Sequence, residues 1–229
     1  MIEIFPDSAA QAAAAAAAIA NALTYRLRLR GEGSIVVTGG RSPGAVYDIL
    51  SAAALDWSKV VVTLSDERFV DVASPDSNER LVRERLLQGR AARARLHGLR
   101  GSAPTPEEAA AEASAFLAAL PPFDAVMLGM GEDGHIASLF PGNPALAAGL
   151  DRAAPACIAV PQGEGIPPAQ PRLSLSLARL VSSRLVIIVA GGAEKRRVLE
   201  RALDDSDSTP FPVRALLKAA PTRRILWTA

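Results

Sequence analysis

Cysteine is almost absent from this chain: Cys157 is the only one in 229 residues. A single thiol excludes an internal disulfide and a cysteine metal cluster, and it fits a reducing compartment. It sits in "PACIAVP" (155–161), which reads as a short buried strand, so a packed thiol is expected rather than a nucleophile. Histidine is nearly as scarce. His97 and His135 are too few for a His-rich metal site, and no metal is expected. Aromatic residues make up 4%, so the core must rest on Leu, Val, Ile and Ala. Charge of one sign is also lacking: 25 Lys and Arg face 24 Asp and Glu, a net charge of +1. That argues against a broad nucleic-acid or membrane footprint while leaving room for a local basic pocket. No apolar run approaches the roughly 20 residues of a membrane span. A soluble, cytoplasmic protein is expected, with no nucleic-acid or membrane partner.

What is present is alanine, and an alternation of apolar runs with helical stretches. "AAQAAAAAAAIANAL" (9–23) follows Glu3 and Asp7 and lacks a basic leader, so it reads as an opening helix rather than a targeting segment. Alanine is the best helix former, and Ser8 is placed to cap it. "SIVVTGG" (34–40) reads as a buried strand. It leads into "SPGAVYDILSAAAL" (42–55), a helix with Ser42 as cap and Pro43 at its first position. "KVVVTLSDERF" (59–69) reads as a second strand, and "DSNERLVRERLLQG" (76–89) as a helix starting at Asp76 or Ser77 and ending at Gly89. "ARLHGL" (94–99) is a short strand, "TPEEAAAEASAFLAAL" (105–120) a helix, and "FDAVMLGMG" (123–131) a third buried strand. After these come "ACIAVP", the alternating "RLSLSLARL", the strand "RLVIIVAGG" (184–192), the helix "AEKRRVLERAL", the short "PVRALLKAA" and a last strand "RRILWT". Strands that are apolar throughout and separated by helices indicate a mostly parallel sheet with helices on both faces. One α/β domain over residues 1–229 is expected.

Such sheets bind ligands outside the carboxyl ends of their strands. Four strands end in polar, Gly-rich loops: "TGGRSP", "SDERF", "GMGEDGH" and "AGGAEKR". In a parallel sheet all four line one edge. Two motifs there mislead. Gly129, Gly131 and Gly134 match G-x-G-x-x-G, with Asp151 about twenty residues on, as in a dinucleotide site. However, Phe140 and Pro141 leave under two turns for the helix that would hold the pyrophosphate, and two acids stand where phosphates would sit. Gly40, Ser42 and Gly44 match G-x-S-x-G, the elbow of a serine hydrolase. The residue after the nucleophile must give a backbone N–H to the oxyanion, and Pro43 has none. Ser42 is therefore read as a helix cap and a loop donor facing an anion.

The remaining residues suit an anionic substrate and a proton transfer. The 39–43 loop offers backbone N–H groups at a helix N-terminus, a seat for a phosphate or a sugar hydroxyl, and Arg41 adds a cation. Arg68 follows the second strand and Lys195 opens the helix after "AGG"; together they fit an anion. Arg196 and Arg197 read as solvated charges. Gly131 brings backbone close to a ligand. Histidine exchanges a proton near neutral pH, and Asp133 is placed to hold the tautomer of His135. Asp66 is expected to bind substrate hydroxyls or to position Arg68. Glu132 is a weaker candidate, and His97 reads as structural.

Taken in order, "TGGRSP", "SDERFV", "SNERLVRERLL", "LGMGEDGHIASLFPG", "PRLSLSL" and "VAGGAEKRRVL" span nearly the whole chain. This ordered set resembles the 6-phosphogluconolactonases of the glucosamine-6-phosphate isomerase/6-phosphogluconolactonase family. The resemblance implies a Rossmann-like sheet, a sugar-phosphate substrate, no cofactor, and hydrolysis of 6-phospho-D-glucono-1,5-lactone in the oxidative pentose phosphate pathway; a monomer is expected. Carried over by position, it makes His135 the base that activates water, Arg68 and Lys195 the phosphate binders, Gly39 and Gly40 the substrate loop, and Arg172 a further substrate contact. The sister activity, glucosamine-6-phosphate deamination, is the main alternative. That branch continues its D-G-H segment as I-A-F-N-E-P and carries D-E-Y, whereas here "IASLFPG" follows His135 and the triplet is D-E-R. Ile136 matches the deaminase pattern, read here as a packing difference. A non-catalytic sugar-phosphate-binding regulator is a third reading, and the intact His135 with its acid neighbours argues against it.

Overall fold

A computed structural model describes residues 1–40 and 42–229. The chain opens with strand β1 (Ile2–Phe5) and helix α1 (Ser8–Arg30). The alanine run is helical as expected, but Asp7 caps it rather than Ser8. Asp7 is in extended backbone, and its carboxylate accepts the Ala10 N–H at 2.7 Å, while Ser8 is already the first helical residue. Next come β2 (Gly33–Val37), α2 (Pro43–Ser51), β3 (Val60–Leu64), β4 (Asp66–Arg68), α3 (Asn78–Arg85) and β5 (Arg95–His97). The middle of the chain holds α4 (Pro106–Ala119), β6 (Ala125–Leu128), α5 (Leu146–Leu150) and β7 (Cys157–Val160). The last part holds β8 (Arg172–Leu175), α6 (Leu177–Val181), β9 (Val186–Gly191), α7 (Ala193–Leu203), α8 (Pro212–Ala219) and β10 (Arg223–Thr228).

Seven strands form one parallel sheet in the order β1-β10-β9-β6-β2-β3-β5. This is the expected α/β, Rossmann-like arrangement of a mostly parallel sheet with helices. Its central strands are mostly buried, with Val60, Val62, Leu64, Leu128, Ile187 and Ile188 at 0% exposure. Each such aliphatic side chain contributes about 1.5–3 kcal/mol on burial. Gln11 on α1 ties two strands from above, donating to the carbonyls of Ala190 and Leu226, both at 2.7 Å. From β2 the chain winds outward through β3 to β5. It then crosses to β6 on the other side of β2 and winds outward again through β9 to β10, which pairs with the chain's first strand, β1, at that edge. The winding therefore reverses between β2 and β6, where such sheets form a crevice at their carboxyl ends.

Three further strands, β4, β8 and β7, form a separate antiparallel sheet. It corrects the expectation of a single strand over 59–69. Ser65 breaks that run: its N–H goes to Val37 of the large sheet at 2.7 Å, and its carbonyl accepts from Leu175 of the small sheet at 2.8 Å. One residue thus hands the chain from one sheet to the other. "RLSLSLARL" splits likewise into β8 and α6, with Ser176 capping the helix by accepting the Arg179 N–H. Two helices are shorter than expected. α2 ends at Ser51, and α3 ends at Arg85, with a separate 3-10 turn, Gly89–Arg93, after it. α3 is capped by Ser77, which accepts the Arg80 N–H. No helix among the described residues is long and apolar enough to cross a membrane.

Candidate active site

The crevice between β2 and β6 opens into a cleft of about 300 Å³. All four Gly-rich loops reach it. The loop after β2 contributes Gly39, Gly40 and Ser42, and β4 contributes Asp66 and Arg68. The loop after β6 contributes Gly131 and His135, β8 contributes Arg172, and α7 contributes Lys195. Arg41 lies outside the described residues. Asp133 reaches the cleft through its contact with His135. Three cations, Arg68, Arg172 and Lys195, face one acid, Asp66, among the described lining residues.

The histidine is held by a tight turn. The Gly131 N–H donates to the His135 carbonyl at 3.0 Å and the Gly134 N–H to the Gly131 carbonyl at 3.1 Å. Asp133 Oδ1 accepts the His135 backbone N–H at 3.1 Å and lies 2.6 Å from the ring Nδ1. A Cβ on residue 131 would sit 2.2 Å from that same Nδ1, so only glycine allows the ring and carboxylate to fold over the backbone. Partial burial disfavours the Asp133 carboxylate, but the hydrogen bond and charge of His135 outweigh it and hold its pKa below the ordinary carboxylate range. The ring leans on Phe140 with centroids 4.4 Å apart. No helix follows this turn until α5, so the G-x-G-x-x-G match builds no dinucleotide cradle.

Asp66 is buried, and its oxygens are engaged. Oδ1 accepts from Ser65 Oγ at 2.9 Å, Oδ2 from Ser138 Oγ at 2.7 Å, and Arg172 Nη1 lies 3.6 Å from Oδ2. Asp66 therefore holds the loop after His135 and steadies Arg172. Arg68 takes a different hold, donating from Nη1 to the Asn78 side-chain oxygen at 2.6 Å and to the Asp76 carbonyl at 2.9 Å. The Nε atoms of Arg68 and Arg172 are buried without a hydrogen-bond partner among the described residues. Burial lowers the Arg172 pKa, opposed by Asp66, and the guanidinium still carries its charge.

Ser42 corrects one expectation. It stands at the cap position of α2, but its backbone is already helical (φ −65°, ψ −36°) and its hydroxyl makes no capping bond. A cap residue normally needs extended backbone for its oxygen to turn back onto the first N–H groups. Asn78 lines the cleft and Ser138 binds Asp66 from its edge, and sequence reasoning singled out neither. His97 lies away from the cleft, stacked on Phe116 with centroids 3.4 Å apart, and burial lowers its pKa against the opposing charge of Glu79. Cys157 is buried, and desolvation pushes its thiol up to about 12.

The comparisons with known proteins agree with one another. The sequence profile of a family described as glucosamine-6-phosphate isomerases/6-phosphogluconolactonase matches residues 6–227. The 6-phosphogluconolactonase of Caulobacter vibrioides is 43% identical over 208 residues, covering 90% of this chain and 88% of its own. That of Rhizobium meliloti is 40% identical over 228 residues, covering 99% and 97%. Among solved structures, a 6-phosphogluconolactonase from Shewanella baltica superposes with a TM-score of 0.92 at 37% identity, covering 100% of this chain and 97% of that one.

Proposed function

The chain belongs to the glucosamine-6-phosphate isomerase/6-phosphogluconolactonase family, and within it we propose that it hydrolyses 6-phospho-D-glucono-1,5-lactone to 6-phospho-D-gluconate as one domain over residues 1–229. The observation that carries this reading is the His135–Asp133 pair, 2.6 Å apart, on the same cleft as Arg68, Arg172 and Lys195. A phosphorylated lactone is a cyclic ester with a distant dianion, and the cleft offers a base for one end and cations for the other.

In this mechanism the Asp133 carboxylate keeps a proton on His135 Nδ1, which leaves the Nε2 lone pair to take a proton from water. The resulting hydroxide adds to the lactone carbonyl. The tetrahedral intermediate collapses by breaking the bond to the ring oxygen, which takes the proton back from the imidazolium. The product is the open-chain acid. General-base help of this kind is worth about 10²–10⁴ in rate, or about 3–5 kcal/mol. Arg68 and Lys195 hold the phosphate, Gly39, Gly40, Arg41 and Ser42 receive the polar loop contacts, and Arg172 completes the cationic side. Fixing the phosphate orients the carbonyl, which supplies a further part of the acceleration.

One observation weighs against the deaminase reading, and a second removes a point in its favour. Asp66 is the one acid lining the cleft among the described residues, and its oxygens are bound to Ser65, Ser138 and Arg172. Ile136 is fully buried, as a packing residue would be. The deciding experiment is a lactonase assay on freshly generated 6-phosphogluconolactone, corrected for spontaneous hydrolysis, with glucosamine 6-phosphate in parallel. Turnover of the lactone alone is expected. Turnover of the amino sugar alone would replace this reading by the deaminase, and tight binding of 6-phosphogluconate with no turnover would make the protein a sensor.

A further inference from the structure

Beside the cleft, the start of α3 is held to β4 by a buried carboxylate. Glu67 is 1% exposed and accepts four bonds. Its Oε1 takes the N–H groups of Arg68 and Asn78, both at 2.7 Å, and its Oε2 takes the Ser77 hydroxyl at 3.0 Å and the Glu79 N–H at 2.7 Å. A carboxylate at the N-terminus of a helix meets both the free N–H groups and the positive end of the dipole, so this junction is rigid.

Its effect falls on Asn78, which is 2% exposed and has a fixed amide orientation. Asn78 Nδ2 donates to the Asp66 carbonyl at 2.9 Å, so its oxygen faces the opposite way and accepts from Arg68 Nη1 at 2.6 Å. On the far side Asn78 fills the space that a Cβ at Gly39 would need, 1.9 Å from Oδ1. The amide therefore touches three parts of the site: the Gly-Gly loop, the backbone of β4 and the Arg68 guanidinium. Arg68 has no carboxylate in a salt bridge among the described residues. A neutral amide can orient a guanidinium while leaving its charge uncompensated, whereas a carboxylate in the same place would compete with an anionic substrate.

We propose that Asn78, anchored by Glu67, is the positioning residue that presents Arg68 to the substrate phosphate. The proposal rests on reading Arg68 as a phosphate anchor. Asn78 acts through the arginine, and its removal releases the guanidinium to alternative rotamers whose entropy must be lost again on binding.

The test is a double-mutant cycle on lactone hydrolysis, comparing Arg68→Ala, Asn78→Ala and the double variant. Asn78→Ala is expected to raise KM about tenfold, the low end of a charged hydrogen bond, with the larger share of the loss in KM rather than kcat. In the Arg68→Ala background the same change is expected to add nothing to KM. An equal rise in both backgrounds would overturn the proposal, since Asn78 would then act on the substrate or on the fold independently of Arg68. An unchanged KM in Asn78→Ala beside a raised KM in Arg68→Ala would overturn it while keeping the phosphate anchor. An unchanged KM in Arg68→Ala would remove the anchor itself and the proposal with it. Should Asn78→Ala fail to fold, Asn78→Ser, which keeps a buried hydroxyl but cannot reach Arg68, takes its place, with a thermal melt to verify folding.

Discussion

Asp133→Asn isolates the electrostatic part of the proposed base. The substitution keeps the side chain's size and an oxygen for the His135 backbone N–H, 3.1 Å away, so the turn is expected to survive. What disappears is the negative charge 2.6 Å from Nδ1. That charge is present in the wild type throughout the neutral range, because the Asp133 pKa lies below ordinary carboxylate values. A charge-assisted hydrogen bond is worth about 1.5–3 kcal/mol. The two side chains are 30% and 40% exposed, so solvent screening places the loss at the lower end, about 1.5–2 kcal/mol. At 1.36 kcal/mol per decade this predicts a fall in kcat of about 10–30-fold with KM nearly unchanged. An amide nitrogen turned toward the ring would lower kcat further by favouring a proton on Nε2, the wrong tautomer for a base. Steady-state hydrolysis of the lactone, followed by acid release and corrected for the spontaneous reaction, measures both constants. A wild-type kcat, or a loss confined to KM, would refute the reasoning: Asp133 would then be touching substrate or merely shaping the loop.

Four other outcomes follow from the same structure. His135→Ala should lower kcat by about 10²–10⁴ in the same assay, and a smaller effect than that of Asp133→Asn would remove the imidazole from the proton transfer. Gly131→Ala puts a methyl 2.2 Å from Nδ1 and should cost about 10²-fold in kcat by displacing the ring, while a thermal melt stays close to wild type. Gln11→Ala removes two buried hydrogen bonds that tie α1 to β9 and β10 and should destabilise by about 1–3 kcal/mol in urea unfolding, with catalysis intact under native conditions. Cys157 should resist iodoacetamide until the protein unfolds, read by intact mass. With its thiol raised from 9.0 to about 12, the folded state holds the proton more tightly than the unfolded one. That contribution is therefore full below about pH 9 and is lost as the pH rises toward 12.

The parallel sheet was legible because its strands, such as "SIVVTGG" and "RLVIIVAGG", are apolar on both faces and end at glycine. The convergence of their loops followed from topology alone. The small antiparallel sheet was not legible, since β4 is three residues long and merges in sequence with β3; only the long-range bonds of Ser65 separate them. β1 escaped for a similar reason: "IEIF" is short, and its partner β10 lies at the other end of the chain. His135, Arg68 and Lys195 were visible because rare or charged residues at strand ends suggest chemistry. Asn78 and Ser138 were not, because an amide at a helix start and a serine after a turn are ordinary until their partners are known. Ser8 and Ser42 misled because capping depends on backbone angles, which residue type suggests but does not determine.

The reversal of winding between β2 and β6 also divides the cleft between two lengths of polypeptide. The arginine on one wall is delivered by the segment before α4 and the imidazole on the other by the segment after it. A molecule lodged between them acts as a non-covalent staple across the two halves of the protein. Occupancy of the cleft and resistance to unfolding are then a single linked equilibrium, observable from either end.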